Sequence, residues 1–294
     1  MTSGSLISVT ASSGRNRPRP GAKRGLSPVN GAERRPVGQK CIGAALLMTL
    51  LPGAVQAQTS PVGELLHRTG RVVETFWKQI SGVTCSETIS QSKLDLKGKT
   101  IYQQEGAFDY LVLLRLEGQE VSIEESRMQQ REARNKKKVP LLVTNGFSTL
   151  VLIFHPYYQS SFEYSLLTDE VLNGKRLRRV GFRPVRGARS PTALMAGGRE
   201  YPLPLEGKAW IDPETEAIVR IAARLDGPLD DLGLRQMESD VRYAPVAFEG
   251  GTEAYWLPVT ASIEAESAQQ RWRNVHRFSR YRKFTVNSRI VPNP

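Results

Sequence analysis

The feature that most constrains the fold is a series of three long segments toward the C-terminus in which apolar side chains recur at every second residue. The segments are Gln236 to Phe248, Ala254 to Glu266 and Arg271 to Val286. In the last segment, most of the apolar residues fall at even-numbered positions, which include Trp272, His276, Phe278, Phe284 and Val286. A period of two is that of a β-strand with one buried face. Because short turns join the segments and no helices alternate with them, they predict an antiparallel meander.

Seven shorter segments upstream have the same character. In the first, Val83 to Ser92, one parity carries Val83, Cys85, Glu87 and Ile89. The other six are Phe108 to Leu116, Gln119 to Ser126, Tyr157 to Leu167, Arg176 to Phe182, Glu206 to Ile211 and Ala217 to Leu225. Together the segments predict a sheet of about ten or eleven strands, and an antiparallel sheet of that width has to curl or close.

Two helices are predicted to accompany the sheet. From Ser60 to Ile80 the apolar residues fall at helical spacing, with Ser60 as the N-cap and Pro61 at the first helical position. The apolar run Phe147 to His155 is too short for periodicity to separate a helix from a buried strand, and we interpret it as a short helix.

The remaining polar stretches are predicted to be loops. The two longest are Arg127 to Lys138, which is strongly basic, and Pro184 to Gly198, which is rich in Gly, Arg and Ser. The predicted fold is therefore mainly β, of the α+β class. It is a large curved antiparallel sheet or half-barrel whose concave face is covered by the N-terminal helix and the short second helix.

The N-terminal part of the chain has the pattern of a secretory signal. Residues 41–54 form an apolar core that is far shorter than the roughly 20 residues needed to span a membrane. Its positive flank consists of Arg34, Arg35 and Lys40, and its end is marked by Pro52 and Gly53. Val55 and Ala57 are the small residues of a cleavage site, so we predict cleavage between Ala57 and Gln58. This pattern predicts a periplasmic or secreted protein without a membrane anchor.

The signal segment also sets the predicted domain organisation. Residues 1–40 are rich in Ser, Gly, Pro and Arg and are predicted to be disordered. An alternative is that translation begins at Val29 or Val37. Residues 58–294 are predicted to form one domain.

The charge and the cysteine content argue against a nucleic-acid-binding protein and against a disulfide-stabilised one. The net charge is +12, but residues 1–57 hold eight Lys or Arg and one Glu, so the predicted mature chain retains only a modest excess. No nucleic-acid partner is therefore expected. Cys85 is the one cysteine after residue 57, which leaves no intramolecular disulfide, and we predict that it is buried.

The sequence contains no motif of an enzyme or a metal centre. His67, His155 and His276 lie far apart and far from both cysteines, and neither HExxH, GxSxG nor GxxxxGK[ST] occurs. Each histidine is expected to have a structural role. We therefore predict no catalytic residues, no metal site and no cofactor.

Large aromatic residues on the predicted strands are the best candidates for a binding site. A curled sheet could use them to line an apolar cavity, or they could simply fill the core, since both arrangements give the same sequence pattern. The candidate lining residues are Phe154, Tyr157, Phe162, Trp210, Trp256 and Trp272.

Several sequence phrases resemble a known group of exported bacterial proteins. They are VTCSETIS, TNGFSTLVLIFHPYY, GKAWIDPETEAIVRI, VRYAPVAF, YWLP and HRFSRYRKFTV. They resemble the outer-membrane lipoprotein-sorting proteins, the periplasmic lipoprotein carriers and their receptor, over most of residues 60–286. The resemblance implies a curved sheet of about eleven strands lidded by helices, with acyl chains held in its concave face. It carries no individual binding residue across.

Two functional hypotheses follow from these observations. The first is a non-enzymatic periplasmic binding or carrier protein for an apolar ligand, such as a lipid or a lipoprotein acyl chain. The alternative is a structural or regulatory module of the cell envelope that has no small-molecule ligand and contacts an envelope protein partner through the basic loop at 127–138.

Overall fold

The computed structural model describes residues 8–11, 60–80, 82–117, 120–130, 143–144, 149–196, 199–248 and 254–283. These residues belong to a unit formed by residues 1–14 and 60–294, whereas residues 15–59 form a second unit. The predicted signal core and the Ala57–Gln58 junction lie outside the described residues. Within the stretch predicted to be disordered, Ser8–Ala11 forms a short strand, β1, that pairs antiparallel with Thr192–Ala196.

The first half of the domain holds the helices and the first group of strands. Helix α1 spans Pro61–Gln79 and is followed by β2 (Val83–Leu94), β3 (Thr100–Glu117), β4 (Glu120–Gln129) and the two-residue β5 (Val143–Thr144). A 3₁₀ helix, Leu150–Phe154, and the one-turn helix α2, Pro156–Gln159, come next.

The second half is almost entirely β. Its strands are β6 (Phe162–Leu172), β7 (Lys175–Pro184), β8 (Thr192–Ala196), β9 (Arg199–Pro202), β10 (Leu205–Ile211), β11 (Ile218–Leu225), β12 (Leu234–Ala247), β13 (Ala254–Ser267) and β14 (Arg271–Lys283). A 3₁₀ turn, Asp230–Leu232, precedes β12.

Ten of these strands form one open antiparallel sheet in the order β4-β3-β2-β14-β13-β12-β11-β10-β7-β6. The chain starts in the middle at β2, moves out to the edge strand β4, crosses to the opposite edge at β6 and returns strand by strand to β14, which pairs with β2. The predicted antiparallel sheet of about ten strands is thus confirmed. A second sheet of four short strands, β5-β1-β8-β9, lies outside this order.

Helix α1 and the crossover between the two edges lie against the sheet. Ser60 caps the helix, since its hydroxyl accepts the Gly63 N–H at 3.2 Å. The helix contacts the 3₁₀ helix, α2, β6 and β13. Gly70 permits the closest approach, because a Cβ there would lie 2.7 Å from Gln159 Nε2. That amide donates to the Leu66 carbonyl at 3.0 Å and so ties the crossover to α1.

Two predicted boundaries in the crossover region need correction. The apolar run from Phe147 does contain a helix, of the 3₁₀ type, and all five of its residues are buried. The predicted strand Tyr157 to Leu167 is wrong at its start, because Pro156 occupies the first position of α2 and His155 caps it by accepting the Tyr157 N–H. Strand β6 begins only at Phe162.

Both predicted loops are also partly wrong. Arg127 belongs to β4, which continues to Gln129, while residues 131–142 lie outside the described residues. The stretch from Pro184 to Gly198 contains β8, which forms a hairpin with β9. Strand β3 begins eight residues earlier than predicted, at Thr100, because its first half is polar and reads as a loop.

Candidate functional site

Two of the six predicted lining residues lie in an aromatic cluster beneath α1. Phe154 and Phe162 are buried, and each has its ring centroid within 6.3 Å of those of Tyr164 and Phe182. The Tyr164 hydroxyl donates to the Ile153 carbonyl, which fixes the cluster to the 3₁₀ helix. These rings therefore fill the space under the helix as core.

The other four candidates are dispersed over the domain. Tyr157 is exposed on α2 beside Arg189, and Trp256 and Trp272 are partly buried against the core. Trp210 is buried outside the main cluster, where its indole N–H donates to Glu170 at 3.1 Å and the Arg220 guanidinium lies 4.4 Å from its ring. Neither of the two cavities described below is lined by any of the six, so their role in a ligand site stays a prediction.

A buried polar cluster occupies the inner face of the sheet where β4, β3, β2 and β14 adjoin. Glu87 is 0 % exposed and lies between two cationic or basic partners. Arg127 donates to both carboxylate oxygens, with Nη2 at 2.9 Å from Oε1, and His276 Nδ1 lies 2.8 Å from the same Oε1. The Arg127 guanidinium also covers the Tyr110 ring at 5.1 Å.

The cluster continues from His276 to the crossover. His276 Nε2 lies 2.7 Å from Thr144 Oγ1, which in turn accepts from Asn274 Nδ2 at 3.1 Å. Because Nδ1 donates to the Glu87 carboxylate, Nε2 of a neutral imidazole is left to accept the Thr144 hydroxyl proton. One chain of hydrogen bonds thus joins β14, β5, β2 and β4.

Burial and pairing together set the charges in this cluster. Burial opposes ionisation of Glu87, but the hydrogen bonds from His276 and Arg127 outweigh it and lower its pKa. Burial likewise disfavours the charged guanidinium of Arg127, yet the Glu87 partner raises its pKa. For His276 the desolvation dominates over Glu87, and its pKa is lowered. The cluster therefore holds one buried ion pair and a neutral imidazole.

A carboxylate, an imidazole and a hydroxyl in series also occur in hydrolases, where they activate a nucleophile. Here Thr144 is only 2 % exposed, and Glu87 and His276 are 0 % exposed. A hydroxyl in that position is not accessible to a substrate in this conformation. Both ring nitrogens of His276 have protein partners, and through Thr144 the ring links the crossover to the sheet.

Cys85 lies next to this cluster and is buried, as predicted. Burial raises the pKa of its thiol to about 12, and the nearby Glu87 charge acts in the same direction. A thiol with such a pKa is protonated at neutral pH and is a poor nucleophile.

The sheet splits along the boundary between β13 and β14. Their ladder runs only from Glu266 with Arg271 to Thr260 with Arg277. Beyond that point β14 pairs with β2 alone, and a bulge between Ser279 and Arg282 shifts its register. Arg280, within the bulge, has a φ of 52°, a left-handed conformation that is rare for a residue with a side chain.

A cleft of about 660 Å³ lies beside this end of β14, and its lining comes from β2, the end of β12, β14 and Gln130. Its apolar wall consists of Val246, Ala247, Phe248 and the Tyr281 ring, and its polar wall consists of Ser86, Gln130, Arg280 and Arg282. Ser86 points to the opposite face of β2 from Glu87, because side chains alternate along a strand. The cleft therefore opens on the outer face of the sheet.

Tyr281 separates this cleft from the apolar interior. Its hydroxyl donates to the carbonyl of Pro258 on β13, across the gap. Behind its ring lies a narrow apolar void, whose crevices are too small to admit a water molecule. The other residues around this void are Ile80, Val83, Tyr110, Val112, Leu257 and Pro258. The single ring of Tyr281 thus stands between the outer cleft and the core near the end of α1.

Part of the buried polar cluster could be recognised from the sequence. Glu87 and His276 both fall on the apolar parity of their strands, which indicates buried polar side chains that need partners. Tyr281 has the opposite parity to Phe278 and gives no such signal, because the bulge turns it inward. Thr144 joins the cluster from 132 residues away, and no local pattern marks it.

In the described part of the chain, no helix is both long and apolar enough to cross a membrane. The same residues contain no group of three or more His, Cys, Asp or Glu side chains that could hold a metal ion.

Comparison with known proteins gives matches at the level of solved structures. No family model matches the chain, and no curated protein does. An outer membrane lipoprotein-sorting protein domain from Vibrio parahaemolyticus matches with 10 % identity and a TM-score of 0.38, covering 76 % of this chain and 95 % of its own. A DUF1329 family protein from Desulfovibrio piger matches with 10 % identity, the same coverages and a TM-score of 0.39.

A third match is the lipoprotein LppX from Mycobacterium tuberculosis. It has 13 % identity and a TM-score of 0.22, and the match covers 76 % of this chain and 97 % of LppX. A solved structure of the lipoprotein-sorting group is thus among the matches.

Proposed function

We propose that this chain is a non-enzymatic binding or carrier protein of the bacterial envelope for a lipid or lipoprotein acyl chain. The observation that carries the proposal is the position of Tyr281, whose ring is a wall of both the outer cleft and the apolar void. The cleft volume falls in the range of small-molecule sites. An acyl chain enters between β13 and β14 when the Tyr281 ring moves aside.

The free energies involved are compatible with such an entry. Burial of an acyl chain contributes about 0.8 kcal/mol per CH₂, so a chain of roughly 16 carbons gains about 12 kcal/mol gross in a dry site. Moving Tyr281 breaks its hydrogen bond to Pro258, at a net cost of about 1 kcal/mol. The crevices behind the ring are narrow, so the surrounding side chains must also repack. Ligand binding therefore shifts a closed conformation, the one described here, toward an open one.

The test is uptake of a fluorescent fatty acid by delipidated protein. Wild-type protein is expected to bind it saturably, and Ala247→Trp, which places a large ring in the cleft from an exposed position, is expected to weaken binding at least tenfold. Val171→Trp is the matched control, because Val171 is exposed on the edge strand β6. Absence of uptake by the delipidated wild type, together with absence of lipid retained on the protein as purified, would rule the proposal out.

A second candidate is the envelope interaction module without a small-molecule ligand. The observation that favours it is the aromatic cluster around Phe154 and Phe162, whose buried rings pack against one another beneath α1 as core. This candidate predicts that the purified protein carries no lipid and takes up none, the opposite outcome of the same experiment.

The envelope location is part of the proposal and rests on the predicted signal segment. It is tested by N-terminal sequencing of the exported protein, which we expect to begin at Gln58. A mature chain that retains residues 41–57 would contradict it.

A further inference from the structure

The cleft beside the end of β14 has two chemically different walls. One is apolar and leads to Tyr281, whereas the other carries the guanidinium groups of Arg280 and Arg282 with the hydroxyl of Ser86 and the amide of Gln130. Among the described residues that line the cleft none is an Asp or a Glu, and the nearby Asp109 carboxylate already accepts the Gln130 amide N–H at 2.8 Å. The cleft therefore presents hydrogen-bond donors and positive charge beside an apolar passage.

The two arginines are available to a ligand. Elsewhere on β14, Arg271 and Arg273 already pair with Glu264. Arg280 and Arg282 are exposed, and neither forms an ion pair within the part of the chain that the structure describes. Guanidinium groups match the geometry of carboxylate and phosphate oxygens and bind them with paired hydrogen bonds.

The backbone of β14 places these side chains on either side of Tyr281. The one-residue bulge turns Tyr281 into the gap, and Arg280 holds a left-handed φ of 52°. Such a conformation is unfavourable for a residue with a Cβ. The strained residue is thus the one that puts a cation at the mouth of the passage.

We propose that the cleft binds a single-chain amphiphile with an anionic head, which is held by Arg280 and Arg282 while the apolar chain passes Tyr281. This inference rests on the proposed function and adds the class of ligand. A carboxylate and a phosphate monoester share the required chemistry, so both are tested.

The experiment measures displacement of a fluorescent fatty alcohol by three probes of equal chain length: hexadecanoate, hexadecyl phosphate and hexadecanol, each below its aggregation limit. At least one anionic probe is expected to bind wild-type protein tenfold or more tightly than hexadecanol. The double variant Arg280→Gln/Arg282→Gln is expected to remove that preference, so that the anionic probes and hexadecanol bind it within about twofold of one another. The matched control is Arg176→Gln/Arg178→Gln, which removes two exposed arginines on β7 and should keep the preference.

The outcomes distinguish a failure of the anionic-head inference from a failure of the carrier function. Equal binding of all three probes by wild-type protein overturns the anionic-head inference and leaves the carrier function standing. If the double variant keeps the preference for an anionic probe, the anionic-head inference is likewise overturned and the carrier function stands. Failure of every probe and of the fluorescent alcohol to bind overturns the carrier function itself. Tighter binding of hexadecanoate or of hexadecyl phosphate supports the inference and identifies the head group.

Discussion

The two halves of the main sheet build their inner faces in different ways. On β6, β7 and β10 to β13 the inner residues are almost all apolar, and residues such as Val180 and Ile221 are fully buried. On β4, β3, β2 and β14 the inner face instead carries the ion pair of Glu87 and Arg127 with His276. The first half is held by packing, whereas the second adds buried hydrogen bonds and charge to apolar residues such as Tyr110 and Val112.

The boundary between these halves is the line between β13 and β14, where the ladder stops and the cleft opens. The hydrogen bonds of a buried polar cluster require fixed directions between donor and acceptor. An apolar core instead tolerates changes of side chain that keep its total volume. The apolar core continues across this line, since Val112 on β3 and Leu257 on β13 belong to the same buried cluster. Beyond the end of the ladder, the Tyr281 hydroxyl spans the line through its hydrogen bond to the Pro258 carbonyl.

The largest effect is expected from the charged half. Glu87→Ala leaves the Arg127 guanidinium buried without its carboxylate, and we expect a loss of about 3–5 kcal/mol in the free energy of unfolding. The measurement is urea denaturation, with Glu264→Ala on the outer face of β13 as the control. A loss below about 1 kcal/mol for Glu87→Ala would show that the polar cluster does not hold this half together.

The next effect is expected from the apolar half. Ile221→Ala removes a fully buried side chain on β11 and leaves a cavity, so we expect a loss of about 3 kcal/mol. Val171→Ala, at an exposed position, should change the free energy of unfolding by less than about 0.5 kcal/mol. Equal effects of the two substitutions would contradict the description of β10 to β13 as packed core.

The pH dependence of stability distinguishes the halves further. Because the pKa of His276 is lowered by burial, the unfolded chain binds a proton that the folded chain does not, in the window between the folded value and about 6.5. Stability therefore falls as the pH drops below about 6.5. The lowered pKa of Glu87 adds a second loss at lower pH: its contribution is present above about 4.3 and disappears as the pH falls through its folded value.

Urea denaturation at pH 7.0 and 5.5 checks this dependence. His276→Gln should be less stable than wild type at pH 7.0 and should lose less on acidification, with the exposed His67→Gln as the control. A direct readout is the imidazole titration of the wild-type protein followed by NMR. Protonation of His276 at or above its ordinary pKa would contradict the assigned neutral state.

The smallest effect is expected on the outer face. Arg273 pairs with Glu264 at 2.8 Å, but both side chains are substantially exposed to solvent. Arg273→Ala should therefore change the free energy of unfolding by less than about 1 kcal/mol. A larger loss, comparable with that of Glu87→Ala, would remove the contrast between the inner and outer faces of β14.

Much of the fold could be predicted from the sequence, because period-two alternation and a capped amphipathic helix are local signals. Strand β14 and helix α1 are examples, each predicted to within a few residues. The polar first half of β3 and the hairpin of β8 and β9 could not be predicted, since their residues resemble those of loops.

The candidate site was less predictable, for two physical reasons. The cluster at Glu87 depends on Arg127 and Thr144, which only the tertiary fold brings together, and Arg127 lies at the start of a stretch that reads as a basic loop. Tyr281 depends on a bulge, which reverses the side-chain parity from that point on and is not encoded by a Gly or Pro. The predicted aromatic residues had the right chemistry, yet Phe154 and Phe162 fill the core.

The most direct test of the account is to locate a bound chain on the protein. Delipidated wild-type protein is loaded with a palmitate analogue that carries a diazirine on its alkyl chain, irradiated, digested and mapped by mass spectrometry. We predict labelling at Phe248, Leu257 and Tyr281, on both sides of the gap between β13 and β14. Labelling confined to the aromatic cluster around Phe154 and Phe162 would contradict entry through the gap and place the ligand under α1 instead.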